Sequence, residues 1–163
     1  MIISKRDKKR IKLKRKVDIL TAMKIRFLSF FRDIFVHHTS SLEFRAKLLA
    51  SVIAIKEGIT ECEHDILEEI AFRIYKNDPA RAYLLMQVTK EYIDKIIEKN
   101  ELDLNALIKN IDNALQSSKR FAYKINIKDL KRFLECSKDD EETNIIQKRI
   151  IEFLQLEIKE YSL

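Results

Sequence analysis

Glycine and proline are nearly missing from this chain. Its 163 residues contain one of each, Gly58 and Pro79, and no tryptophan. Sandwiches, barrels and doubly wound sheets of this size need many tight turns, and tight turns rest on Gly and Pro. A single glycine likewise cannot build a glycine-rich phosphate loop. Both exclusions point to an all-helical chain. Long apolar runs are lacking too: no uninterrupted stretch approaches the ~18 residues of a membrane span. The N-terminus is too charged for a secretory signal and has no small-residue cleavage site after an apolar stretch. Cysteine is scarce. Cys62 and Cys136 stand far apart with no Cys-x-x-Cys spacing, which leads to an expectation of free thiols in a reducing cytoplasm.

What is abundant is charge, 36% of the residues, beside 46% apolar types that can build a core. The charge is unevenly divided. Lys5, Arg6, Lys8, Lys9, Arg10, Lys12, Lys14, Arg15 and Lys16 face only Asp7 in residues 1–16, a net of +8. The whole chain carries +6, so residues 17–163 carry −2. The chain is a slightly acidic domain (17–163) with a basic N-terminal arm (1–16). Such arms meet anionic partners, either nucleic acid through phosphate neutralisation or the acidic inner leaflet of a membrane.

Apolar spacing and caps divide the domain into about seven helices with short connections, a compact bundle of antiparallel neighbours. Val17–Val36 forms the first helix. Ser40 with Glu43 reads as a capping box for a helix to Ile55, and Thr60 with Glu63 as a second box. Asp78-Pro79 starts the next helix, which runs to about Lys99 with Asn100 as its stop. Asp103 caps a helix bearing Leu107, Ile111 and Leu115. Lys119–Asn126 reads as an extended loop. A short helix covers about Ile127–Glu135, and a final one runs from Asp140 to near Tyr161. Glu63 and Glu142 echo one another, each followed by paired apolar residues at a helix start.

The stretch Leu48-Leu49-Ala50-Ser51-Val52-Ile53-Ala54, then Ile59-Thr60-Glu61-Cys62-Glu63, then Ile66 to Ile70, resembles the TerB-like family, named after tellurite resistance. Arg81-Ala82-Tyr83-Leu84-Leu85 and the second Glu-led helix at Glu142 fit the family's two-half helical domain. The resemblance implies an all-α fold over about 40–160 and an acidic turn implicated in divalent cation binding. In this chain Lys56-Glu57 falls where the family pattern has Asp-Gly.

Three sets of residues are candidates for function. Glu57, Glu61, Glu63, Asp140 and Glu142 offer hard oxygen ligands for a divalent cation; the commoner use of carboxylates at helix N-termini is in the caps and against the macrodipole. Cys62, His64, His37 and His38 match no zinc spacing. Phe27, Phe30, Phe31 and Phe35 form either a core stripe or the apolar face of an interfacial helix following a polybasic arm. The nine basic residues of the arm would hold an anionic surface without reading sequence, because no aromatic is interleaved for base stacking. The expectation is a non-enzymatic interaction or stress-response module of the TerB-like type. It would be cytoplasmic, peripheral at the inner face of the membrane or bound to a protein complex; the alternatives are a nucleic-acid-associated protein using the arm, or a divalent-metal-binding domain. No cofactor and no small-molecule substrate are expected.

Overall fold

A computed structural model describes residues 39–98 and 102–162. The arm, Val17–Val36, the four phenylalanines of the stripe, His37 and His38, and the helix end at Lys99-Asn100 lie outside the described residues. Within them the chain is all-α, with no strand. Six α-helices follow in order: α1 (Thr39–Ile53), α2 (Glu61–Ile74), α3 (Pro79–Ile97), α4 (Leu104–Ser117), α5 (Ile127–Arg132) and α6 (Glu141–Tyr161). Two 3₁₀ helices, Lys119–Lys124 and Phe133–Ser137, flank α5.

Every residue from Leu48 to Ala54 is buried. The C-terminal half of α1 is therefore buried on every side, while Glu43, Arg45 and Lys47 keep its first half partly in water. The others bury one stripe each: Leu67, Ile70 and Ala71 on α2, Leu84, Leu85, Val88 and Ile93 on α3, Leu107, Ile111 and Leu115 on α4, and Ile150, Ile151 and Leu154 on α6. Helix α2 packs along α3, and α6 against α4, α5 and both 3₁₀ segments. Each Leu or Ile sealed this way contributes about 1.5–3 kcal/mol over exposure.

The caps work locally. Thr60 Oγ1 accepts from Glu63 N, and the Glu63 carboxylate accepts in return from Thr60 N at 2.8 Å. Asp78 caps α3 ahead of Pro79, Asp103 caps α4, and Asp140 caps α6. Gly58 sits at φ +100 in the turn after α1, the left-handed region that favours glycine.

Three expectations need correction. The cysteines are not free: Cys62 and Cys136 form a disulfide, with Cα atoms 5.8 Å apart. Sequence spacing carries no information about two residues brought together by folding, and the reducing-compartment reading loses the thiols it rested on. Lys119–Asn126 is not extended, because Lys119–Lys124 is a 3₁₀ turn with Phe121 N donating to Ser118 O and Ile125 N to Ala122 O. The Phe121-Tyr123-Ile125 alternation misleads there, since Phe121 and Ile125 are buried while Tyr123 is 75% exposed. The Ile127–Glu135 helix gives way to 3₁₀ geometry at Phe133. The Ser40 side chain of the Ser40–Glu43 box lies outside the described residues; Glu43 itself accepts from Tyr92 Oη at 2.8 Å and pairs with Lys47 at 2.9 Å.

Candidate functional site

The residues flagged for cation binding sit at two helix N-termini joined by the disulfide. Cys62 lies in the first turn of α2, and Cys136 in the 3₁₀ segment leading to the Asp140 cap of α6. The echo between the two halves is a cap echo, offset by one residue from the Glu63–Glu142 correspondence. In α2 the N-cap Thr60 accepts from the third-residue amide of Glu63; in α6 the N-cap Asp140 accepts from the third-residue amide of Thr143. Glu142 is one position off and exposed.

Glu63 is the centre of this region. Its side chain is fully buried. Oε2 accepts from Thr60 N and from Thr60 Oγ1 at 3.0 Å. Oε1 accepts no hydrogen bond from a described residue and faces Lys56 Nζ at 3.4 Å. A buried carboxylate without a counter-charge would be strongly disfavoured, and the ammonium supplies one. Asp140 is spent similarly: Oδ1 accepts from Thr143 N at 3.1 Å and Oδ2 from Thr143 Oγ1 at 2.7 Å. Those two bonds, with a smaller contribution from the Lys56 charge, hold the Asp140 carboxyl below its ordinary value.

The donor set does not fit a hard divalent cation. Such an ion needs several convergent carboxylate or carbonyl oxygens. Glu63 and Asp140 give theirs to caps, an ammonium already faces Glu63, and Glu57, Glu61 and Glu142 are exposed. These five carboxylates assemble no group of three within 4.8 Å; among the described residues only His64, Asp65 and Glu68 do so, on the outer surface of α2.

A buried polar chain closes the other side of the two-turn region. Gln147 of α6, fully buried, donates through Nε2 to Val52 O at 2.9 Å, one of the orphan carbonyls in the last turn of α1. Its Oε1 accepts from Ser137 Oγ at 2.6 Å, and Asn144 Nδ2 donates to Ser137 Oγ at 3.0 Å. The C-terminus of α1, the disulfide segment and α6 are thereby fixed to one another.

A second concavity, of about 170 Å³, opens between α1, α2, the first 3₁₀ segment and α5. Arg45, Arg73 and Lys124 stand around it. Sequence reasoning missed these residues. They come from three separate segments, each with an ordinary exposed-looking cation, and no motif links them.

Comparison with family models, with curated proteins and with solved structures finds no match for this chain.

Proposed function

We propose that this protein is a non-enzymatic, TerB-like interaction module that attaches to an anionic surface through its N-terminal arm. The observation that carries the reading is the division of charge: nine Lys or Arg against one Asp in residues 1–16, on a remainder of net −2. Near an anionic bilayer each such cation is worth about 1 kcal/mol, falling away within a Debye length. The acidic turns support the reading indirectly. Glu63 and Asp140 are engaged in caps and with Lys56, and the exposed Glu57, Glu61 and Glu142 do not converge with them, which favours the arm as the recognition element. The stress-response role follows from the TerB-like resemblance.

The test is flotation with liposomes containing acidic lipid across a salt series, using the full chain and a variant carrying Lys8→Gln, Lys9→Gln, Arg10→Gln and Lys12→Gln. Binding should fall steeply with salt and be lost in the variant. If the intact protein ignores acidic liposomes at low salt yet retards DNA or RNA, the arm is a nucleic-acid element and the membrane reading fails.

A further inference from the structure

The concavity between α1, α2 and α5 is built unlike its surroundings. Residues 39–163 carry 20 Lys or Arg against 23 Asp or Glu, so this part of the chain is acidic. Around the opening the balance reverses: Arg45, Arg73 and Lys124 face one carboxylate, Asp129. That carboxylate is largely buried and engaged with the Arg73 guanidinium. The Lys124 side chain makes no hydrogen bond or ion pair with any described residue. Arg45 is held from behind: Nη1 donates to Tyr75 Oη at 3.3 Å, and the guanidinium lies 5.7 Å from the Tyr75 ring centre. This contact orients the planar fork and leaves its other N–H groups available.

The floor is apolar, made by Leu48 and Leu49 of α1, Ile70 of α2 and Leu130 of α5, all buried at their backs. Tyr123 stands at the mouth with three quarters of its surface exposed. The volume is close to that of an apolar cavity of roughly 150 Å³ known to accept benzene. One ring or a short branched chain fills it.

We propose that this pocket binds a small organic carboxylate whose apolar body is a single ring or a branched short chain. The body would rest on Leu48, Ile70 and Leu130, and the carboxylate would lie between Arg45 and Lys124. A planar guanidinium fork matches a carboxylate in two parallel hydrogen bonds. A phosphate is the poorer fit, because the backbone amides that would cradle it are already taken. At the start of α5 the amides of Lys128 and Asp129 both donate to Asn126 Oδ1. Pockets of this kind are apolar with a few placed polar groups that fix orientation. The proposal is independent of the arm.

Methyl-resolved NMR titration of the full chain tests it with three probes: benzoate, benzyl alcohol as its uncharged counterpart, and inorganic phosphate as an anion without an apolar body. Benzoate should move the methyls of Leu48, Ile70 and Leu130 saturably, and each of the other two should bind about tenfold more weakly, the factor expected for one lost charge-assisted contact. Lys124→Gln removes a side chain that pairs with no described residue, so the fold should be retained while benzoate affinity falls by about the same factor. Arg45→Lys keeps the charge, loses the fork and should also weaken binding. No saturable shift at ~10 mM benzoate, far above a millimolar Kd, would overturn the proposal; so would equal binding of benzyl alcohol, or affinity untouched by Lys124→Gln. The same Lys124→Gln protein should float with acidic liposomes like the parent, which separates a failure here from a failure of the arm reading.

Discussion

Lys56 and Glu63 form the pair on which the turn between α1 and α2 depends, and their exposures are unequal. The Lys56 side chain keeps 22% of its surface in water, while that of Glu63 keeps none. Removing the ammonium therefore strands a buried carboxylate. Lys56→Met should cost about 3 kcal/mol in urea unfolding, the low end of the range for deleting one partner of a buried pair, because the lysine is partly in water. The double variant with Glu63→Gln should recover a good part of that loss, because a neutral amide can still accept from Thr60 N. A loss with no recovery would mean that the lysine acts by packing alone. Glu43 gives a second test. Burial pushes its carboxyl up, but the hydrogen bonds from Lys47 and Tyr92 and the Lys47 charge outweigh this and hold it below the ordinary 4.5. A depressed carboxyl contributes stability above its unfolded value, and that stability is lost as pH falls through the folded one. Glu43→Gln should thus be less stable than the parent at pH 7, with the gap closing below about pH 4.5.

At the scale of elements, α4 and α6 meet through like charges. Glu157 of α6 faces Asp112 of α4, and its Oε2 is buried without a hydrogen-bond donor. Burial first, then the Asp112 charge and a hydrogen bond to it, then Glu160, push the Glu157 carboxyl upward. The sign is opposite to that of Glu43. A raised carboxyl favours the folded state below its unfolded value, and the advantage disappears as pH rises through the folded one. At neutral pH this contact between the helices is therefore a weak point. Glu157→Gln should raise the Tm at pH 7 by a few degrees, with the gain shrinking toward pH 4. An unchanged or lower Tm at pH 7 would show that the two carboxylates are well enough hydrated not to repel.

Across the whole molecule, the Cys62–Cys136 bond joins the first turn of α2 to the segment before α6, enclosing α3, α4 and α5 in one covalent loop. The separation is 74 residues. Chain-entropy arguments give a loop of that length about 4 kcal/mol of stabilisation, by restricting the unfolded ensemble. The Cys62→Ser, Cys136→Ser double variant should lose close to that amount in urea unfolding, with the helical content of the folded state retained. A loss under about 1 kcal/mol would indicate that the bond contributes little beyond what the Gln147–Ser137–Asn144 chain already fixes in the same region.

Sequence alone determined the helical class of this protein and most of its helix starts. Thr60 with Glu63, Asp78 with Pro79, Asp103 and Asp140 are legible because a cap is a contact between residues three apart. Buried stripes such as Leu107, Ile111 and Leu115 are legible for the same reason, since their period is local. The partner of Glu43 was not legible, because Tyr92 reaches it from another helix. Tertiary structure decided everything that joins remote segments: the disulfide, the Arg73–Asp129 pair, the reach of Gln147 to Val52 across 95 residues, and the gathering of Arg45, Arg73 and Lys124 around one apolar floor. None of these has a sequence period. Each exists because packing the stripes of six helices fixes which side chains meet, and that follows from the sum of many burial contacts, not from any short run of residues.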